Sequence, residues 1–129
     1  MLERISSNKL PKAVGSYSSG SKVGNLIFSS GQLPINPETG KIDFPDSVEK
    51  QAEQSMTNVK NLLEDNGSSL ESIVKTTVYL GDIKDFAQFD SVYKTFFKDS
   101  FPARTAFAVG ALPMGALVEI EVIAEVKEA

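Results

Sequence analysis

The chain contains no cysteine, no histidine and no tryptophan. Without cysteine it cannot form disulfides or use a thiolate, which suits a reducing compartment, so we expect a cytoplasmic protein. Without histidine it has no imidazole base and no ordinary zinc or haem site, so we expect no metal. Catalysis, if there is any, must use carboxylates, Lys, Tyr, Ser, Thr, Arg, backbone groups and water.

Positive charge and long apolar runs are also scarce. The 17 acidic residues outnumber the 13 basic ones, giving a net charge of −4, and the lysines form no basic stripe. A nucleic-acid partner is therefore not expected. No apolar run approaches the roughly 18 residues of a transmembrane helix, so we expect no membrane partner. At 129 residues, of which 41% are hydrophobic, the chain is predicted to form a single domain over residues 1–129.

Hydrophobic periodicity predicts an α+β fold in which two helices cover one face of a mixed sheet. The first helix is expected over residues 47–65, with Asp46 as its N-cap and Asn66-Gly67 as its end. The second is expected from Asp82 to Lys98, with an aromatic stripe that packs in the core. Strands are predicted in five places: two within residues 17–31 around a Gly24-Asn25 turn, and one each at 72–80, 104–110 and 117–127.

Arg104 stands out because it occurs in an otherwise apolar strand, in a chain with only one other arginine, Arg4. A guanidinium keeps its charge in proteins, and burying it unpaired is costly. Two alternatives follow. Arg104 either pairs with a carboxylate such as Glu119 or Glu121, or it faces a cavity where an anionic ligand binds. Its planar fork matches a carboxylate ligand well.

The alternation of side chains around Arg104 bears on that choice. If Phe107 and Val109 meet the helices, Arg104 points away from them, over the small residues Ala106 and Ala108. A face of this kind is neither well solvated nor filled. It is typical of a pocket floor, or of a subunit interface that buries the second face of the sheet.

Glu119 and a cluster of Tyr17, Ser30 and Gly31 are the other candidates. Glu119 is either a solvated strand residue or a carboxylate near Arg104 that positions water and moves a proton. Ser30 and Gly31 follow an apolar strand and are typical of a turn. Alternatively, Gly31 lets a ligand approach the backbone while Ser30 and Tyr17 form hydrogen bonds with it.

The chain resembles the YjgF/RidA family of reactive intermediate deaminases. The resemblance runs in order along nearly the whole chain, and the segments that carry it are Val14-Gly15-Ser16-Tyr17-Ser18, Ile27-Phe28-Ser29-Ser30-Gly31-Gln32-Leu33-Pro34, Val74-Lys75-Thr76-Thr77-Val78-Tyr79-Leu80, Phe101-Pro102-Ala103-Arg104 and Val118-Glu119-Ile120-Glu121-Val122-Ile123-Ala124.

This resemblance implies a chorismate-mutase-like α+β fold, assembled as a homotrimer with clefts at the subunit interfaces. It also implies cofactor-independent hydrolysis of enamines and imines of 2-amino acids, such as 2-aminoacrylate, to 2-keto acids and ammonium. By position, Arg104 would bind the substrate carboxylate and Glu119 would help to activate water. Gly31 would supply backbone contacts, Ser30 would line the cleft, and Tyr17 would come from the neighbouring subunit.

The chain departs from the family pattern at three positions. Ala106 stands where many members have Cys, Ala108 where an acidic residue is frequent, and Asp90 where Asn is common. We expect these changes to affect substrate preference, with Asp90 opposing carboxylate binding by repulsion. An alternative function is a non-catalytic trimer that binds small carboxylates as a sensor or chaperone. Translation inhibition or RNA cleavage, also assigned in the family, is a third.

Overall fold

The computed structural model describes residues 1–127, and these contain one six-stranded sheet and two α-helices. The mixed sheet and the two helices were expected from the sequence, whereas only five of the six strands were. Within these residues, no helix combines the length and the apolar character needed to cross a bilayer. In the described residues the sheet order is β1-β2-β3-β6-β4-β5, with β4 and β5 parallel and the other neighbouring pairs antiparallel. The strands are β1 (Glu3–Ile5), β2 (Gly20–Val23), β3 (Leu26–Ser29), β4 (Ile73–Leu80), β5 (Ala103–Ala108) and β6 (Val118–Glu125), and the helices are α1 (Val48–Glu64) and α2 (Phe86–Tyr93).

Helix α1 matches its predicted span, but its N-cap is Ser47 and not Asp46. Ser47 has the extended backbone of a cap, and its hydroxyl accepts a hydrogen bond from the Lys50 N–H at 3.1 Å. The helix ends where predicted, because Gly67 adopts a φ of +83° that most residues avoid. Its inward side is fully buried and supplies much of the core.

Helix α2 is shorter than predicted. Asp82 accepts a hydrogen bond from the Lys84 N–H and opens a 3₁₀ turn, and a second 3₁₀ turn follows the helix at Lys94–Phe96. The predicted aromatic stripe does pack in the core, where Phe89 is fully buried and Tyr93 nearly so. The short strand β1 was not predicted, since three residues carry too little periodicity.

The two faces of the sheet differ sharply. Alternate residues of β4 and β6 point into the core under the helices and are almost completely buried: Thr76, Val78, Leu80, Val118, Ile120 and Val122. The intervening residues lie on the opposite face, which this chain leaves open. Phe28 is 40% exposed there and Phe107 is 43% exposed. Glu119 and Glu121 of β6 also lie on this open face.

Candidate active site

A cavity of about 850 Å³ lies beside the open face, at the start of β6. Four of the residues that the sequence singled out line it together: Tyr17, Ser30, Gly31 and Glu119. They come from three separate segments of the chain. The fold therefore brings one carboxylate, two hydroxyls and one exposed stretch of backbone to a single space.

Gly31 and Glu119 are in direct contact because a short antiparallel bridge aligns their segments. The Gln32 N–H donates to the Ile120 carbonyl at 2.7 Å, and the Ile120 N–H donates back to Gln32 at 3.2 Å. A Cβ placed on Gly31 would lie 2.5 Å from Oε2 of Glu119 and 2.7 Å from its carboxyl carbon. Gly31 is thus required for space, so that the Glu119 carboxylate can lie against the backbone.

Ser30 is fixed by its own hydrogen bonds. Its N–H donates to the Ser19 carbonyl at 2.8 Å, and its hydroxyl donates to the Ser18 carbonyl at 2.6 Å. Because the hydroxyl proton is engaged, the oxygen is left to accept a hydrogen bond from a ligand. Ser30 is therefore suited to meet a donor such as an amine or a water molecule.

The electrostatic environment of Glu119 favours its protonated form. Partial burial raises the pKa of Glu119, and the nearby negative charge of Glu121 raises it further. Glu121 in turn accepts a hydrogen bond from the Tyr79 hydroxyl, and this bond is the main reason that the pKa of Tyr79 rises to about 12. A carboxyl whose pKa is shifted toward neutrality can both take and return a proton.

Arg104 lies on the helix side of the sheet, so the prediction that it points away from the helices is wrong. Its Nη1 donates to Oδ1 of Asp90 at 2.6 Å, and its guanidinium carbon lies 5.0 Å from the ring centres of both Phe86 and Tyr93. Arg104 thus pairs with Asp90 and not with Glu119 or Glu121, the partners suggested by the sequence. Phe107 takes the other face.

The physical reason is the volume of the aromatic side chains of α2. These rings fill most of the space above β5: Arg104 lies flat against two of them at the start of the strand, and the small Ala106 packs against the core beyond it. Phe107 then lies on the open face, where its ring meets Tyr79 edge to face at 5.4 Å. Alternation correctly predicted that Arg104 and Ala106 share one face of β5 and that Phe107 lies on the other. It exchanged the helix side and the open side.

As a consequence, Arg104 and Glu119 are on opposite faces of the sheet within one chain. Arg104 is on the edge strand β5 and does not line the cavity that contains Glu119. Tyr17, which the resemblance assigned to a neighbouring subunit, lines that cavity in the same chain as Glu119. The grouping of residues in a single protomer therefore differs from the predicted one.

Sequence reasoning missed several residues of the cavity wall, among them Lys12, Leu33 and Met114. Met114 has a φ of 59°, uncommon for a non-glycine residue, and this cavity-lining residue is 60% exposed. The Pro113–Gly115 segment forms a 3₁₀ turn between β5 and β6. An apolar side chain within a turn rich in Pro and Gly was the available signal.

Three comparisons place the chain among known proteins. The family model described as endoribonuclease L-PSP matches residues 7–126. The chain is 45% identical over 120 residues to the 2-iminobutanoate/2-iminopropanoate deaminase of Bos taurus, covering 93% of this chain and 87% of the relative. It is 46% identical over 117 residues to the putative regulator AldR of Lactococcus lactis, covering 91% and 92%.

Solved structures agree with these matches. The crystal structure of the YjgF gene product of E. coli superposes with a TM-score of 0.91 at 41% identity, covering 97% of this chain and 99% of that one. Similarity of sequence and of fold therefore extends over almost the full length of both chains. The chain belongs to the endoribonuclease L-PSP family, the YjgF/RidA family that its sequence motifs resemble.

Proposed function

We propose that the protein hydrolyses enamine and imine intermediates of 2-amino acids to 2-keto acids and ammonium, without a cofactor. The observation that carries this proposal is the Glu119 carboxyl, partly buried in the cavity and lying against Gly31. Relatives at about 45% identity that bear the deaminase name support the same reaction. The cytoplasmic location expected from the sequence stays a prediction.

The chemistry needs little apparatus, because an imine carbon is already electrophilic. Glu119 takes a proton from a water molecule as the water oxygen bonds to the carbon of the protonated imine, which gives a neutral carbinolamine. Glu119 then returns this proton to the nitrogen. As the C–N bond breaks, the carbinolamine hydroxyl gives its proton to the Glu119 carboxylate, the carbonyl forms, and the departing ammonia takes that proton to leave as ammonium. An enamine must first gain a proton at its β-carbon. The raised pKa of Glu119 suits both directions of proton transfer.

We further propose that the site is completed in a homotrimer, with Arg104 of one protomer and the Glu119 cavity of the next. Two observations support this. The open face of the sheet exposes aromatic side chains such as Phe28 and Phe107, as expected of a surface buried by association. Arg104 is on the edge strand, where an adjacent subunit can reach it. There it would bind the substrate carboxylate.

The test is product release from 2-aminoacrylate generated in the assay by a cofactor-dependent lyase. We expect the purified protein to accelerate pyruvate and ammonium formation well beyond the spontaneous rate, in proportion to its concentration. A protein that binds 2-keto acids but leaves the spontaneous rate unchanged would contradict the proposal. That result would favour a non-catalytic carboxylate binder, such as a sensor; the Lactococcus relative bears the name of a putative regulator.

Gly31→Ala is expected to lower kcat by roughly tenfold to 100-fold, because the new methyl group displaces the Glu119 carboxylate by about an ångström. The fold should survive, since the clashing atoms are at the end of a flexible side chain. Gly110→Ala is the matched control, because a Cβ there meets nothing within 4 Å. Equal rates for the two variants would show that the Gly31–Glu119 contact is not needed.

A further inference from the structure

The Arg104 guanidinium already has a carboxylate partner, Asp90. Nη1 of Arg104 lies 2.6 Å from Oδ1 of Asp90, and the two side chains are 27% and 38% exposed. The rings of Phe86 and Tyr93 hold the same guanidinium at 5.0 Å. Arg104 therefore has an orientation fixed by aromatic contacts as well as by the ion pair, and four of its five N–H donors are not used by Asp90.

A ligand at Arg104 meets two opposite charges and not one. A simple carboxylate anion is attracted by Arg104 and repelled by Asp90, whether it displaces Asp90 or binds beside it. A ligand that carries a positive nitrogen next to its carboxylate has no net charge to be repelled. Its nitrogen complements Asp90 while its carboxylate complements Arg104. The Arg104–Asp90 pair therefore presents one positive and one negative group, which complement the carboxylate and the positive nitrogen of a zwitterion.

We infer that Asp90 makes the Arg104 anchor selective for carboxylates bearing an adjacent positive charge, and weakens its hold on simple carboxylate anions. The inference rests on the proposed function, in which Arg104 anchors the substrate. It names the favoured form of the substrate, the iminium carboxylate, and distinguishes it from the 2-keto acid product, which is an anion. Asp90 faces the ligand beside Arg104, and its repulsion of the anionic product also promotes product release.

The test compares dissociation constants of 2-oxobutanoate and of zwitterionic 2-aminobutanoate, measured by calorimetry on the assembled protein. Asp90→Asn keeps a hydrogen-bond acceptor for Arg104 but removes the charge. We expect it to tighten 2-oxobutanoate binding about fivefold and to change 2-aminobutanoate binding less than about twofold. In turnover, the same variant should show stronger inhibition by 2-oxobutanoate, seen as a lower inhibition constant for this product.

Three further variants separate the explanations. Asp90→Glu keeps the charge and should retain the wild-type ratio of the two constants. Asp99→Asn removes an exposed charge of the same sign from a residue that does not contact Arg104, and should also retain it. Arg104→Ala should lose both ligands if Arg104 is the anchor.

Each outcome has a distinct meaning. If Arg104→Ala binds both ligands as well as the wild type, the proposed anchor is wrong. If Arg104→Ala loses them but Asp90→Asn leaves the ratio unchanged, or weakens both ligands equally, only the inference about Asp90 is wrong. It is also overturned if Asp99→Asn reproduces the effect of Asp90→Asn, or if the wild type binds 2-oxobutanoate but not 2-aminobutanoate at matched concentrations.

Discussion

Glu119→Gln is expected to lower kcat by about 100-fold to 10,000-fold, the usual contribution of a general acid or base. Glutamine preserves the shape of the side chain against Gly31 but can neither take a proton from water nor return one. Substrate binding should survive, because the carboxylate anchor is elsewhere. Initial rates of pyruvate release, with binding of 2-oxobutanoate measured in parallel, check both halves of this expectation.

The same variant is expected to be slightly more stable than the wild type at neutral pH. Because the pKa of Glu119 is raised, the folded state holds its proton more tightly than the unfolded chain does. Stability is therefore lost as the pH rises above the ordinary value of 4.5. The uncharged glutamine does not undergo this loss of stability. Because Glu119 is half-exposed and screened by solvent, the gain in the free energy of unfolding should be below about 1 kcal/mol. Thermal unfolding at pH 7 and at pH 4 measures the difference, which should vanish at the lower pH.

Glu125→Gln is the matched control for both measurements, since Glu125 is an exposed residue at the end of the same strand. It should leave the rate and the stability within the error of the wild type. A Glu119→Gln variant that is less stable than the wild type and equally active would show that Glu119 has a purely structural role.

Arg104→Ala is expected to lower kcat/KM by roughly 100-fold to 1,000-fold, as truncation of a charged hydrogen-bonding partner usually does. Part of the loss reflects Asp90, which is left without its partner. Arg104→Lys should recover only a fraction of the activity, because an ammonium keeps the charge but loses the planar fork. The kinetic constants, together with the melting temperature of each variant, separate lost binding from lost stability.

Stability is the main alternative explanation for such a loss. The guanidinium contacts Phe86 and Tyr93, so its removal also weakens the packing between α2 and β5. Arg104→Met retains an apolar side chain of similar length and is therefore the informative companion. If Arg104→Met is as active as the wild type, the charge has no part in substrate binding.

Much of the fold could be predicted from the sequence, because periodicity and end signals are local. Helix α1 is the clearest example: both its apolar spacing and the glycine that ends it, Gly67, lie within one continuous stretch of sequence. Its N-cap was misplaced by one residue, since Asp46 and Ser47 are both good caps and only backbone geometry decides between them. Strand β1 escaped notice because three residues contain no pattern.

The site was only partly predictable, because its arrangement depends on contacts between distant segments. Tyr17, Ser30, Gly31 and Glu119 do share a cavity. Alternation could not say which face of β5 meets the helices, since that depends on how the rings of α2 fill the space above the strand. For the same reason the Asp90–Arg104 pair, which joins α2 to β5, was not expected.

The most direct test of the central claim is complementation between two inactive variants. If each site combines Arg104 of one protomer with Glu119 of the next, then trimers formed from equal amounts of Arg104→Ala and Glu119→Gln chains contain some sites with both residues intact. Random assembly predicts recovery of about a quarter of the wild-type activity, since the interface is directional. Activity no higher than that of the separate variants, in trimers shown to contain both chains, would contradict a site shared between subunits.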